Sequence, residues 1–276
     1  MKCCKIICVC FKEKRQLGHG PHIPLDLHYP TFNKIIENEI NSDPGVEMDT
    51  IIVNNDSGDK IGAKLCKSIH KLKTKSGRLL LMTRRNEGLS FGAFSHAYKH
   101  FKKDYNYWLF NEDDQHIIKN NYYPAAISML KNDPTIGFCA LGPIIPAGEL
   151  IHSGGGFGIT SSLNLENVCK IFGDIAAVPE SYTCHNKSDR YPSFNGHRCY
   201  CEEGYGVTGR DLQIGEIFFT NKFVRAGYQL KYHPNFSPIP ANVKNIPFYD
   251  RHYQALLKEE PHQAILPFLY QIGDLV

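Results

Sequence analysis

The chain has 276 residues, of which 42% are hydrophobic and 12% aromatic, so it can bury the core of one large domain. Its formal charge is only +3 and its basic residues are scattered, which excludes an extended basic face for nucleic acid. No apolar run approaches the length of a membrane span, and the ten cysteines lack the spacing of a secreted disulfide framework. We therefore expect a cytoplasmic protein with reduced thiols, either soluble or peripheral at a membrane.

The first half of the chain alternates between predicted strands and predicted helices. Buried, β-branched runs bounded by turn residues predict strands, and apolar residues at helical spacing predict helices. The predicted strands are Lys5–Phe11, Asp49–Val53, Arg78–Met82 and Tyr105–Phe110. The predicted helices are one capped by Thr31, then Lys60–Leu72 and Phe91–Phe101. This alternation predicts an α/β fold with a mostly parallel central sheet flanked by helices.

The second half of the chain is less regular. Its predicted elements are a helix at Tyr122–Leu130, a strand at Ile136–Ile145, a turn at Gly154–Gly158, a helix at Glu216–Ala226 capped by Gly227, and a strand at Tyr228–Tyr232. Between about 182 and 209 the composition shifts to Cys, His, Gly, Tyr and charged residues with little periodicity. That stretch predicts an irregular insertion over the functional site.

The most informative motif is the acidic cluster Asn111-Glu112-Asp113-Asp114, which directly follows the fourth predicted strand. Adjacent carboxylates at the end of a buried strand repel one another and lose hydration, which is costly unless a cation lies among them. Hard ions such as Mg²⁺ or Mn²⁺ bind through one or two carboxylates plus the phosphates of a substrate. The cluster therefore predicts a divalent metal and a phosphorylated donor, and the alternative is a solvated turn.

Three further motifs accompany the acidic cluster. The turn Val53-Asn54-Asn55-Asp56-Ser57 ends the second predicted strand and, taken alone, is an Asx turn. The loop from Arg84 to Gly92 has small residues that permit close backbone approach and arginines that can face phosphates. The segment from Gly215 to Tyr228 places Glu216 at a helix start, where a carboxylate can act as a base or simply favour the helix dipole.

In this order, the motifs resemble those of the GT-A fold glycosyltransferases, and most closely the inverting, rhamnosyltransferase-like glycan transferases of family 2. The resemblance covers Lys5 to about Tyr232. It implies a metal-dependent enzyme that transfers a sugar from a nucleotide-sugar donor to a glycan or other hydroxyl acceptor with inversion. It also implies one GT-A domain, with residues 1–145 as the nucleotide-sugar-binding half and residues 146–276 as the acceptor-binding and catalytic-base half.

The resemblance assigns roles to individual residues. The implied donor-binding residues are Phe11, Asn54, Asn55, Asp56, Ser57, Arg84, Arg85, Asn86, Gly88, Glu112 and Asp113. The acidic cluster fits the family's metal motif in two registers, Asn111-Glu112-Asp113 as a degenerate D-x-D or Glu112-Asp113-Asp114 as the E-D-D variant. Mn²⁺ or Mg²⁺ would be held mainly by Asp114 with support from Asp113, and a C-terminal histidine, His233 or His252, would return to the metal or diphosphate. Glu216 would be the catalytic base. Asn54 stands where the family usually has an acid, which leaves the contact with the nucleobase to Asn54 or Asp56.

Other function classes fit parts of the pattern. A nucleotidyltransferase would use the same acids for metal, but the chain lacks a Gly-rich loop after the first strand. A non-catalytic GT-A-like protein that binds glycan or nucleotide would explain Asn54, whereas the retained acids argue against it. A structural zinc could be bound by Cys184, His185, His197, Cys199 and Cys201, but their spacing matches no strong finger pattern, and free thiols are favoured.

Overall fold

The computed structural model of the chain describes residues 2–11, 14–16, 22–56, 58–69, 72–86, 89–113, 115–117, 120–142, 144–147, 150–177, 215, 218–235 and 265–267. The predicted site residues that lie outside the described residues are Ser57, Gly88, Asp114, Glu216 and His252. The predicted insertion at 182–209, with its candidate zinc ligands, also lies outside them.

Strands and helices alternate along the described chain. The strands are β1 (Cys3–Val9), β2 (Lys14–Gln16), β3 (His22–Pro24), β4 (Met48–Asp56), β5 (Leu79–Arg85), β6 (Tyr107–Glu112), β7 (Gln115–Ile117), β8 (Ile136–Ala140), β9 (Ile144–Ala147), β10 (Leu150–Ser153), β11 (Gly158–Ser161), β12 (Gln229–Tyr232) and β13 (Ile265–Pro267). The helices are α1 (Leu25–Asn41), α2 (Lys60–Ser68), α3 (Leu89–Phe101), α4 (Tyr123–Asn132), α5 (Ser162–Phe172) and the helical residues 218–225, called α6.

A seven-stranded sheet forms the centre of the fold, in the order β12-β8-β11-β6-β1-β4-β5. β5, β4, β1 and β6 pair in parallel, and β12 is parallel to β8. β11 is antiparallel to both of its neighbours, β6 and β8. The predicted α/β class with a mostly parallel sheet is confirmed.

The strand order reverses at β1. The chain places β4 and then β5 on one side of β1 and returns to place β6 on the other side. Cys8 of β1 is level with Val53 of β4 and with Glu112 of β6, so these strands end at one edge. In open parallel sheets, ligands bind beyond the carboxyl ends of the strands at such a reversal.

Both faces of the sheet are covered, which explains the continuous apolar runs of its strands. On one face, Phe94 of α3 and Phe219 of α6 pack around Phe110 of β6. On the other face, α1 and α2 cover the β1 and β4 side, and α4 covers the side near β8 and β11. Among the described residues, no helix combines the length and apolar character needed to cross a membrane.

Two boundaries differ from the sequence prediction. Helix α1 begins at Leu25, so Thr31 lies inside the helix and is not its cap. The apolar spacing that begins at Phe32 marks only the turns that pack on the sheet, and it gave no signal for the turns before them. The predicted strand Ile136–Ile145 is two strands, β8 and β9, because the chain turns at Leu141 and Gly142. Gly227, with φ 88°, ends α6 as predicted, and its N–H bonds the Val224 carbonyl at 2.9 Å.

Candidate functional site

Polar side chains end three parallel strands at the carboxyl edge of the sheet. They are Asn55 on β4, Arg84 on β5 and Glu112 on β6. Asn55 is paired with Arg84, and Cys8 is level with Glu112, so the strand registers turn these side chains to the α3 side. Three motifs that the sequence placed at strand ends are thus gathered at the reversal of the strand order.

Asn55 joins β4 to both neighbouring strands. Its Oδ1 accepts a hydrogen bond from Arg84 Nη1 at 2.8 Å, and its Nδ2 donates to Cys8 Sγ at 3.3 Å. Because Asn55 is 1% exposed, these bonds satisfy a buried amide and fix its orientation. The predicted donor residues Asn55 and Arg84 are therefore in direct contact, with the guanidinium held at the edge of the sheet.

Cys10, just beyond β1, connects two other predicted residues. Its backbone N–H donates to Asp113 Oδ2 at 3.3 Å, and its Sγ accepts from Asn86 Nδ2 at 3.5 Å. Sequence reasoning did not select Cys10. The available signal was its position directly after β1, the strand that lies between β4 and β6.

The acidic cluster begins at the carboxyl end of β6. Asn111 is buried, and its Nδ2 donates to the Glu112 carbonyl at 2.5 Å. Glu112 and Asp113 are half-buried at the strand end. Carboxylate oxygens are the donors that Mn²⁺ and Mg²⁺ prefer, so this pair fits such an ion. Among the described residues, no three His, Cys, Asp or Glu side chains are grouped to hold a metal, so phosphate oxygens or Asp114 would have to complete the set.

The turn from β4 into α2 is built by aspartates. Asp56 is exposed, and its Oδ1 accepts the Gly58 N–H at 2.8 Å, as in the expected Asx turn. Asp59 caps α2 by accepting the Gly62 N–H at 2.6 Å. Arg85 is exposed and lies in register with Asp56.

Phe11 packs mainly in the core beside this turn. Its ring covers Gly62 so closely that a Cβ there would lie 2.4 Å from it, which explains the glycine. It also meets the Phe32 ring edge-on, with ring centres 5.5 Å apart. The Phe11 side chain is only 5% exposed, and its donor contact stays a prediction.

Two buried amide oxygens at this edge accept no hydrogen bond from the described part of the chain. Neither Asn54 Oδ1 nor Asn86 Oδ1 has a partner among the residues that the structure describes. Asn54 is 2% exposed and, being level with Val9, faces the α2 side of the sheet. Buried polar groups are nearly always satisfied, and the exceptions call for an explanation such as water or a ligand.

His233 follows β12, and its ring is fully engaged in backbone hydrogen bonds. Its Nε2 lies 2.6 Å from the Tyr122 carbonyl and must donate to it, while its Nδ1 accepts the Asn235 N–H at 3.1 Å. A metal could bind either nitrogen only by breaking one of these bonds. These hydrogen bonds oppose the role of metal ligand, which stays a prediction for His233.

The chain that flanks Glu216 packs beside the acidic strand. Gly215 lies against Phe91, where a Cβ would come 2.8 Å from the ring, and Phe219 meets Phe110 with ring centres 4.9 Å apart. Lys222 fixes α6 to the segment after α5, since its Nζ donates to the Asp174 carbonyl at 2.5 Å and to the Ile175 carbonyl at 3.3 Å. Burial lowers the pKa of Lys222 to about 8.

Comparisons with known proteins give limited similarity. No protein-family model matches the chain, and no curated protein sequence matches it. Among solved structures, 56 chains match. One is the mannosyltransferase PcManGT from Pyrobaculum calidifontis in complex with GDP-Man and Mn²⁺, with 12% identity and a TM-score of 0.49. The match covers 93% of this chain and spans 60% of the length of that one.

Proposed function

We propose that the chain is a metal-dependent glycosyltransferase that uses a nucleotide-sugar donor. The observation that carries this proposal is that Glu112 and Asp113 on one side of β1 and the Arg84–Asn55 pair on the other side end the strands at the same edge, at the reversal of the strand order. Carboxylates for a hard cation and a guanidinium for phosphate, on one edge of a parallel sheet, suit a nucleoside diphosphate.

The residues divide into a diphosphate side and a nucleoside side. Glu112 and Asp113, together with Asp114, would hold Mn²⁺ or Mg²⁺, and the bound ion would neutralise charge on the leaving diphosphate. Arg84, oriented by Asn55, adds a second positive charge for the diphosphate. The buried Asn54 amide and the Asp56 turn supply polar groups for the base and ribose.

In the proposed reaction, Glu216 accepts the proton of the acceptor hydroxyl while the acceptor oxygen displaces the nucleoside diphosphate from the sugar. A single base opposite the leaving group gives direct displacement with inversion. The packing of Gly215 and Phe219 against Phe91 and Phe110 supports this role, because it holds the chain on both sides of Glu216 beside the acidic strand. Residues 146–276 would provide the acceptor side.

A panel of UDP-, GDP- and dTDP-sugars tests the proposal. The protein is incubated with each donor and Mn²⁺, with and without EDTA, and release of nucleoside diphosphate is followed. We expect release with at least one donor and none in EDTA. Metal-dependent nucleotide binding without turnover would indicate a non-catalytic binding protein. Conversion of the nucleotide-sugar to a nucleoside triphosphate and a sugar 1-phosphate when pyrophosphate is added would indicate a nucleotidyltransferase.

The stereochemistry is tested on the first-formed product. NMR of the anomeric proton should show a β-linked product from an α-linked donor, because no glycosyl-enzyme is expected. Retained configuration would contradict the inverting mechanism and the role of Glu216, but it would leave the nucleotide-sugar site in place.

A further inference from the structure

Two histidines on α3 take no part in the proposed reaction. His96 and His100 are four residues apart, so their side chains lie on one helix face. Their ring centres are 4.5 Å apart and the ring planes are inclined by 54°. His96 is half-buried and His100 is exposed, so solvent ions can reach the pair.

The hydrogen bonding of His100 prepares it to bind a metal. Its Nδ1 lies 3.0 Å from the His96 carbonyl oxygen. A carbonyl can only accept, so Nδ1 carries the proton and Nε2 keeps its lone pair. Histidines that ligate metals commonly donate their other ring N–H to a backbone carbonyl, which fixes tautomer and orientation. Among the described residues, no hydrogen bond uses His100 Nε2 or the ring nitrogens of His96.

The ring spacing suits one shared ion. With a metal–nitrogen bond of about 2.1 Å and about 1.1 Å more to the ring centre, each ring centre would lie about 3.2 Å from the ion. A right angle at the ion then places the ring centres about 4.5 Å apart, and a tetrahedral angle about 5.2 Å apart. The observed 4.5 Å matches the right angle of square-planar or octahedral coordination. Two histidines four residues apart on a helix are a recurring zinc-binding arrangement.

The surroundings favour the neutral ring that a metal requires. Burial lowers the pKa of His96, and the neighbouring charges of His100, Arg84 and Lys99 lower it further. The Lys99 charge is itself paired with Asp174. His96 is therefore neutral at pH 7, and a metal need not displace a proton from it.

We propose that His96 and His100 form a two-histidine surface site for a late first-row transition-metal dication. Imidazole suits Cu²⁺, Ni²⁺ and Zn²⁺, whereas the carboxylates at the sheet edge suit Mn²⁺ and Mg²⁺. The two sites thus select different ions. The expected affinity order is Cu²⁺, then Ni²⁺ and Zn²⁺, with water completing the coordination.

Binding would join two turns of α3, the helix that packs against β1 and β4. An ion that binds only the folded chain raises its thermal stability. The pair would then act as a metal-dependent clamp on a helix next to the proposed donor site.

The test uses the full chain with Cu²⁺ and Ni²⁺ as probes. The chain contains 13 histidines, so the readout must be residue-specific. Paramagnetic broadening of histidine ring signals in NMR spectra is followed during titration, with calorimetry for affinity. We expect the His96 and His100 signals to broaden first and together. Earlier broadening of other histidines, with these two unaffected, would overturn the proposal.

Variants separate chelation from loose binding. His96→Gln and His100→Gln should each weaken this binding about tenfold or more, and the double variant should lose little beyond either single one, because two ligands share one ion. Lys99→Gln, which changes a residue between them that cannot ligate, is the matched control and should keep the affinity. Additive, independent losses would contradict a shared ion. The midpoint of thermal unfolding without metal should stay unchanged in all variants. Mn²⁺-dependent nucleotide binding should also persist, so a negative result here would leave the proposed function untouched, and the reverse.

Discussion

The amino edge and the carboxyl edge of the same four parallel strands differ in how completely their polar groups are hydrogen-bonded. At the amino edge, the carboxylate of Asp49 contacts side chains from the segments that directly precede β1, β5 and β6. Its Oδ2 accepts from Arg78 Nη2 at 2.7 Å and from the Tyr105 hydroxyl at 2.9 Å, and Lys2 Nζ lies 3.3 Å away. Its Oδ1 accepts the Arg78 backbone N–H at 2.9 Å. The carboxylate is fully satisfied by protein groups.

At the carboxyl edge, the polar groups are satisfied only in part. Asn55 and Arg84 bond each other, and Asp113 accepts the Cys10 N–H. Asn54 Oδ1 and Asn86 Oδ1, however, are buried with no partner among the described residues. A buried, unsatisfied polar group costs about 1–3 kcal/mol. The hydrogen bonds at the amino edge therefore stabilise the fold. The unsatisfied oxygens at the carboxyl edge lower its stability, and a ligand would complete their hydrogen bonding.

The difference has a measurable electrostatic signature. Burial raises the pKa of Asp49, but the hydrogen bonds from Arg78 and Tyr105 outweigh burial and bring the pKa to about 2. A carboxylate with a lowered pKa stabilises the folded state whenever it is charged. Substitutions at the amino edge should change stability, and substitutions at the carboxyl edge should change ligand binding and catalysis.

The largest expected effect is that of Glu216→Gln on turnover. Loss of the general base should lower the rate of sugar transfer by about 10²- to 10⁴-fold and leave donor affinity unchanged. Initial rates and calorimetry measure the two quantities. Glu166→Gln, at an exposed carboxylate on α5, is the matched control and should transfer normally. Near-normal turnover of Glu216→Gln would contradict this role and point to Asp211, Glu202 or Glu203 as the base.

Asp113→Asn should separate binding from stability at the carboxyl edge. The substitution removes a charged oxygen ligand, and we expect Mn²⁺-dependent affinity for a nucleoside diphosphate to fall by about 10- to 100-fold. The amide oxygen can still accept the Cys10 N–H, so the thermal unfolding midpoint should hardly change. Equal nucleotide affinity with and without Mn²⁺, in both the wild type and the variant, would contradict the proposal that a metal binds at this site.

Asp49→Asn should show the opposite pattern at the amino edge. The lowered pKa corresponds to about 2 kcal/mol of stability at neutral pH, which the neutral amide cannot supply. We expect urea unfolding to show a loss of this size, with unchanged nucleotide affinity. Asp104→Asn, at an exposed position, is the control and should leave stability unchanged. A stable Asp49→Asn protein would show that the cluster of partners contributes little.

The pH dependence of stability follows from the same group. Asp49 has a folded-state pKa of about 2, below its ordinary value of 3.8, so the unfolded chain binds the proton more readily. Its stabilisation is therefore complete above about pH 5 and is lost as the pH falls towards about 2. Urea midpoints of wild type and Asp49→Asn should converge over that range. Curves that stay parallel would show that another carboxylate governs acid unfolding.

The smallest expected effect is a gain in stability from Asn54→Leu. An apolar side chain of similar size removes the unsatisfied buried oxygen, and we expect the free energy of unfolding to rise by about 0.5–1 kcal/mol. Affinity for the nucleotide should fall in the same protein, since Asn54 is proposed to face the base. A variant that loses stability would indicate that the Asn54 amide is satisfied in solution, for example by water.

Local patterns in the sequence determined the strands and helices that build the sheet. The run Asp49–Val53 predicted β4, and Phe91–Phe101 predicted most of α3. Burial on both faces requires continuous apolar residues, and a helix on a sheet requires apolar residues at helical spacing, so both signals are local. The short strands β2 and β3 have no such run, and no strand is predicted for them from the sequence.

Tertiary structure alone decided which strand ends meet. Asn55 and Arg84 are 29 residues apart, and Cys10 and Asp113 are 103 residues apart, yet each pair is in contact. The first contact depends on the register between β4 and β5, and the second depends on β6 returning to the far side of β1. Both follow from packing the whole sheet and not from any local period. Tertiary structure also decided the contacts of His233, which the sequence predicted as a metal ligand. Its neighbours, the Tyr122 carbonyl and the Asn235 N–H, came from chain segments that only folding brought to its ring.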